Sequence, residues 1–204
     1  MHQEGVTVHP IPLLSGASPF CETVFEDALA SAGDVIGGVD RGWTVGKRLL
    51  QFERSTHAGI NTSGSQGGRT EENKLPDIVK QYVSMTGNKL ADSELRSRLI
   101  KNDMNTRAQQ ITQQRAIEET QSRAPGFTSS VVKLTNALNI QEADEILMQA
   151  MGSQGYRWET DSGATEAEVA ALKKWLYQKS LTIAGGTKEV QLNIIAKRVL
   201  GLPD

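Results

Sequence analysis

The chain has 204 residues, is 38% hydrophobic, and carries a formal net charge of −2 with a mean hydropathy of −0.38. That length suits one good-sized domain or two small ones, and the near-balanced charge gives no general attraction to nucleic acid or to an anionic membrane. A single cysteine, Cys21, excludes an internal disulfide and a cysteine-rich zinc site, the scattered His2, His9 and His57 lack metal-ligand spacing, and no apolar run is long enough to span a membrane.

In chain order, the first segment opens with MHQEGVTVHPIPLL, which lacks the basic region and apolar core of a signal peptide. With the lone cysteine, this predicts a reducing, cytoplasmic compartment. Residues 6–14 alternate loosely and carry Pro10 and Pro12, the pattern of an edge strand. Residues 20–29 alternate again, with Phe20, Val24 and Phe25 as the expected core positions, and the Gly- and Asp-rich run 31–42 reads as loop. Forty residues of this kind are too few to close a sheet, and the exposed edges predict that strands are missing upstream.

From Trp43 the pattern turns helical, with Trp43, Gly46, Leu49, Leu50 and Glu53 on one face. Glu53 stands three and four residues after the two leucines, so its carboxylate is either a base raised in pKa by an apolar layer or a surface or ion-paired side chain at the edge of the helix. A Gly/Ser-rich loop follows at 61–70. Residues 71–86 are predicted helical, broken by Gly87 and Asn88. A long polar helix is predicted over 92–121, buried through Leu95, Leu99, Met104, Ala108, Ile111 and Ile117. Pro125 and Gly126 end it, and another helix covers 128–151 with Val131, Val132, Leu134, Leu138, Ile146 and Leu147 inward. After a polar loop over 152–165, a helix is predicted over 167–181.

The last stretch, TIAGGTKEVQLNIIAKRVLGLPD, places Val190, Ile194, Ile195, Val199 and Leu200 on one helical face. Thr187 is its expected N-cap, Glu189 an acid in the first turn, and Gly201 with Pro203 its end. The Gly185–Gly186 pair is either a tight turn between helices or a place where bare backbone meets a ligand. The predicted fold class is therefore mainly α: a partial β segment over 1–40 followed by a helical bundle over 41–204.

Several stretches together resemble the acyl-CoA dehydrogenase family. They are GVTVHPIP, then FCETVFEDALASAGDVIGGVDRGWTVGKRLLQFERS, then MQAMGSQGY, then TIAGGTKEVQLNIIAKRVLGLPD, in the family's order and at about its spacing. The subgroup resembles bacterial enzymes acting on dicarboxylic, steroid or unusual acyl-CoA thioesters. The resemblance implies a C-terminal four-helix bundle and the end of a middle β-domain, with the N-terminal half of the family's architecture absent.

The resemblance also implies an activity. A glutamate takes the α-proton of an acyl-CoA while the β-hydride passes to FAD, and electrons leave to an electron-transfer flavoprotein. Gly186 resembles the glycine lying against the acyl thioester, and Arg54, beside Glu53 in the ER pair, is placed with it in substrate binding. Thr187 and Glu189 resemble positions contacting FAD of a neighbouring subunit, and Gln149, Gly152 and Gly155 resemble a second flavin-contacting loop. A homo- or hetero-oligomer, a dimer of dimers, is implied.

The sequence departs from the family at named places. Many members carry the base immediately before the Gly-Thr pair, where this chain has Gly185. Others carry it on the helix with the ER pair, which makes Glu53 the expected base. The family's arginine-phenylalanine-glycine stretch is not recognisable in QYVSMTGNKLADSEL, and LYQKS replaces its arginine-aspartate pair. Two other expectations follow: a non-catalytic bundle subunit that completes a full-length partner's site, and a fragment of a split or truncated gene with no function of its own.

Overall fold

The computed structural model describes residues 3–57, 75–122, 128–160 and 163–203, with the side chains of 51, 54–57 and 120 outside that description. The Gly/Ser-rich loop, Pro125–Gly126 and the His57 and Arg54 side chains therefore lie outside the described residues. The chain forms two compact units, Met1–Gln51 and Phe52–Asp204.

In the first unit, β1 (Val6–Ile11) pairs antiparallel with β2 (Phe20–Phe25), in register from Val6↔Phe25 to Ile11↔Phe20. The expected core positions are not buried within the chain: Phe20 is 50% exposed and Phe25 70%, with Val24 half-buried. A two-stranded hairpin has no second layer to cover either face. After a 3₁₀ turn at Ala32–Asp34, capped by Ser31, comes α1 (Gly42–His57).

In the second unit α4 (Thr128–Met151) is the axis. It packs against α2 (Leu75–Val79), α3 (Ser93–Gln121), α5 (Glu166–Gln178) and α6 (Lys188–Ile194). The core gathers Leu75, Val79, Leu95, Leu99, Ala143, Ile146 and Ala150, closed by Leu90. Leu90 comes from a hairpin, β3 (Met85–Thr86) with β4 (Lys89–Leu90), where a continuous helix over 71–86 is expected. Gly87, with φ +59°, and Asn88 form its two-residue loop, so the pair turns a hairpin rather than ending a helix.

Asp92 starts α3, its Oδ1 accepting from the amides of Glu94 and Leu95 at 2.9 Å each. Leu95 and Leu99 are buried as expected, but Met104 is 66% and Ile111 60% exposed. Between Leu99 and Ala116, which is buried in an apolar cluster with Val132, the inner face is amide-lined. Asn102 Nδ2 donates to Asn139 O (2.9 Å), Asn139 Nδ2 to Gln109 Oε1 (3.0 Å), and Gln109 Nε2 to Asn136 Oδ1 (2.7 Å). Arg98 of α3 grips Glu142 of α4 through both carboxylate oxygens, at 2.8 and 3.0 Å. The α4 bounds agree with the sequence pattern, although Leu138 is 40% exposed.

Candidate functional site

The turn between α5 and α6 is built from three helices. Gln141 of α4 caps the end of α5, donating Nε2 to Gln178 O at 2.9 Å. The chain then passes through a 3₁₀ turn, Lys179–Thr182, into Gly185 (φ +66°) and Gly186 (φ +100°). Both glycines hold backbone conformations that side chains disfavour, and a Cβ on Gly186 would lie 2.6 Å from Gln191 Nε2. Thr187 is the N-cap, its Oγ1 accepting from Val190 N at 3.3 Å, and α6 passes into a π-turn, Ile195–Val199, closed by Gly201 at φ +64°.

The carbonyls of the glycine pair are both held by side chains. Gln191 Nε2 donates to Gly185 O at 2.9 Å, and Lys133 Nζ of α4 donates to Gly186 O at 2.6 Å. Gln191 is fully buried and Lys133 is only 4% exposed. Burial holds the Lys133 ammonium below the ordinary lysine pKa. Neither residue was among the sequence-based candidates. The available signal was a lysine inside the apolar run VVKL, on the inward face of α4.

The second glycine cluster follows α4 directly, as a 3₁₀ turn at Gly152–Tyr156. Gly152 has φ +57° and open space where a Cβ would stand. Gly155 is buried, and a Cβ there would meet Met148 Cε and Met151 Cβ at 3.0 Å, so close packing on α4 accounts for that glycine. Exposed Gln149 accepts from Arg98 Nη1. Gln154 Nε2 donates at 2.5 Å to Glu168 Oε1, a buried carboxylate that also receives Tyr82 and the Thr165 amide.

The sequence-derived residues thus fall into separate places. Gly186, Thr187 and Glu189 share one turn, supported from the N-terminal half of α4. Gln149, Gly152 and Gly155 stand at its other end, and the sixteen residues from Lys133 to Gln149 make that separation about 24 Å along the helix. Glu53 lies on α1, exposed, beside Leu49 (66% exposed) and Leu50 (46% exposed), so the apolar layer expected around it is not formed by α1 itself. Arg54 is in the same helix, its side chain outside the described residues. Among the described residues no group of three or more His, Cys, Asp or Glu could hold a metal, and no helix is long and apolar enough to cross a membrane.

Against known families, residues 40–200 match the acyl-CoA dehydrogenase C-terminal domain. The chain belongs to the acyl-CoA dehydrogenase family. Over all 204 residues it is 34% identical to the acyl-CoA dehydrogenase IpdE1 of Mycolicibacterium smegmatis, of which it covers 47%. It is 28% identical to the acyl-CoA dehydrogenase FadE34 of Mycobacterium tuberculosis, of which it covers 26%. The chain therefore spans half or less of the length of the curated relatives it matches. Among solved structures, the Tcur3481-Tcur3483 steroid acyl-CoA dehydrogenase superposes with a TM-score of 0.78 at 20% identity, over 98% of this chain and 50% of that one. A glutaryl-coenzyme A dehydrogenase in complex with glutaryl-CoA gives 0.73 at 15% identity, over 98% and 48%. At these identities the likeness establishes the fold: a C-terminal acyl-CoA dehydrogenase bundle preceded by a short strand segment.

Proposed function

We propose that the chain forms the C-terminal part of an FAD-dependent acyl-CoA dehydrogenase, with residues 1–40 as the end of its middle β-domain and 41–204 as its bundle. The carrying observation is the Gly185–Gly186 turn: two left-handed glycines, with both carbonyls held by buried side chains, at the place where the family resemblance puts the acyl thioester. A plain helix–helix connection needs none of that apparatus.

In this reading Glu53 is the base. It accepts the α-proton of the acyl-CoA while the β-hydrogen leaves with its electron pair, so a carbon–carbon double bond forms between the two carbons. FAD, when bound, supplies the acceptor for that hydride, and its electrons pass on to an electron-transfer flavoprotein. Gly185 has no side chain and cannot serve as base, which leaves the role to the helix carrying Glu53 and Arg54. Arg54 joins Gly186 in binding the thioester.

The residues present fit a flavin. Exposed Gln149 and the open backbone at Gly152 suit a phosphate chain, the Glu189 carboxylate and the Thr187 hydroxyl suit a polyhydroxyl chain, and Gly155 shapes the loop. Their separation along α4 supports an assembly in which one chain contributes to more than one flavin site, a homo- or hetero-oligomer acting in the cytoplasm. Steroid and dicarboxylic acyl-CoA thioesters are the substrate classes this reading favours, since the structural relatives include a steroid acyl-CoA dehydrogenase and a glutaryl-CoA complex.

The test is the visible spectrum of the purified chain after addition of FAD and desalting, alone and with a full-length homologous chain. A retained flavin band that bleaches with an acyl-CoA is the expected result. Absence of flavin and acyl-CoA binding in both settings would overturn the reading. Gly185 favours one alternative, a bundle subunit that completes the site of a partner chain carrying its own base. One structural neighbour is described as a ChsE4-ChsE5 complex from Mycobacterium tuberculosis.

A further inference from the structure

Lys133 is the unusual residue of the bundle interior. It is 4% exposed, and its hydrogen bond is to a neutral acceptor, Gly186 O, at 2.6 Å. Among the described residues it forms no ion pair with a carboxylate. A buried ammonium without a counter-ion is a poor packing choice, because an apolar side chain of the same length would fill α4 without desolvating a charge. What the ammonium gains is a charge-assisted bond to one peptide carbonyl, roughly twice as strong as a neutral one.

Gln191 makes the second half of the argument. Its amide is fully buried, Nε2 holds Gly185 O at 2.9 Å, and Oε1 has no hydrogen-bond partner among the described residues. Buried unpaired acceptors are rare because each costs its hydration. The glycine pair is thus fixed by two polar side chains from two helices, one unpaired in charge and the other leaving an acceptor unpaired. A simple connection between α5 and α6 would be more stable without either. Gly186 itself remains partly exposed.

We infer that Lys133 and Gln191 are positioning residues for the acyl thioester: together they lock the Gly185–Gly186 turn, and the Lys133 ammonium polarises the Gly186–Thr187 peptide so that the backbone facing the ligand is rigid and its Thr187 amide is a stronger donor. This rests on the proposed reading of Gly186 as the thioester contact. Neither residue touches substrate; both act through the turn.

The test uses the full chain, labelled with ¹³C and ¹⁵N and carrying Lys133→Met, which keeps an unbranched side chain one atom shorter and removes the charge. With FAD present, binding is measured for octanoyl-CoA, glutaryl-CoA and a steroid-side-chain acyl-CoA. The expected result is a melting curve of a folded bundle, displaced Gly186 carbonyl and Thr187 amide resonances, and amide exchange in the turn at least tenfold faster. The dissociation constant for the bound acyl-CoA rises at least tenfold. Unchanged resonances and exchange would overturn the inference outright. A loosened turn that binds acyl-CoA as tightly as wild type would overturn the positioning role and leave the site reading standing. If the wild type binds none of the three thioesters, either alone or with a full-length homologous chain, the site reading fails and the positioning role with it, while the resonances still report whether Lys133 holds the turn. Should Lys133→Met not fold, Gln191→Leu gives the same readouts, since it removes the second clamp and the unpaired oxygen together.

Discussion

Tyr82 and Glu168, 86 residues apart in sequence, meet with the tyrosine hydroxyl donating to Glu168 Oε1 at 3.1 Å. The same carboxylate receives Gln154 Nε2 at 2.5 Å and the Thr165 amide at 2.7 Å, the last forming a capping box at the start of α5. One buried side chain therefore ties the segment after α2, the Gly152–Tyr156 turn and α5 together. The Thr165 backbone bond, working against burial and helped by Tyr82, Thr165 and Gln154, holds its pKa below the ordinary carboxylate value of 4.5.

A pH-dependent contribution to stability follows from that lowered pKa. A carboxylate with a folded pKa below its unfolded value contributes stability that is fully present above the unfolded value and is lost as pH falls toward the folded one. The difference in melting temperature between wild type and Glu168→Gln is expected to be constant through neutral pH and to shrink below about 4.5. At neutral pH the substitution costs about 3 kcal/mol, because it sets an amide donor among donors, whereas Tyr82→Phe costs about 1 kcal/mol. A difference independent of pH from 7 down to 3 would show that folding does not lower the Glu168 pKa.

The amide ladder between α3 and α4 gives a second prediction. Asn102 is 4% exposed and its amide satisfies the carbonyl of Asn139. Asn102→Ala removes this second bond to a carbonyl that also accepts within α4, leaves a small void, and is expected to destabilise the bundle by about 1–2 kcal/mol. Exposed Met104→Ala, two residues on and on another face of the helix, is expected to change stability by less than about 0.5 kcal/mol. Chemical denaturation of the two variants separates an amide-lined face from the apolar stripe that periodicity alone suggests.

That contrast marks what the sequence made legible. The helix over 128–151 and the cap at Thr187 were readable because apolar spacing and an N-cap threonine leave local signatures. Leu95 and Leu99 on α3 were readable too, but the stretch holding Asn102 and Gln109 was not, because its partners are amides on α4, and a polar residue facing a polar residue has no hydrophobic period to detect. Gly87–Asn88 was read as a helix break, since the same dipeptide serves as a hairpin turn only when flanking residues pair, and that pairing is decided by Leu90 entering the core. At the candidate site the glycine pair was visible, but Lys133 and Gln191 were not, because a turn's supports come from residues distant in sequence.

The glycines themselves are expected to differ. Gly152 and Gly186 both have positive φ, but a Cβ at 152 meets open space and one at 186 lies 2.6 Å from the buried Gln191 amide. Gly152→Ala is expected to cost about 1 kcal/mol, the backbone term alone. Gly186→Ala adds the displacement of Gln191 from Gly185 and is expected to cost about 3 kcal/mol, the overpacking added to the backbone term. Thermal melts of the two variants measure this; equal losses would mean that Gln191 yields freely and does not clamp the turn.

Glu53→Gln is the decisive substitution for the proposed chemistry. The carboxamide keeps the shape and hydrogen-bonding reach of the side chain but cannot accept the α-proton, so binding and flavin retention are expected to be preserved while turnover falls. General-base removal of this kind lowers kcat about 10²–10⁴-fold, with the effect on kcat/KM equal if proton abstraction limits both. The measurement is flavin bleaching under single-turnover conditions with the assembled enzyme, beside the flavin content of each variant. A kcat unchanged by Glu53→Gln, with flavin retained, would move the base to a partner chain. Because Gly185 cannot supply one, that result would assign this chain to the subunit that completes the site rather than the one that performs the proton transfer.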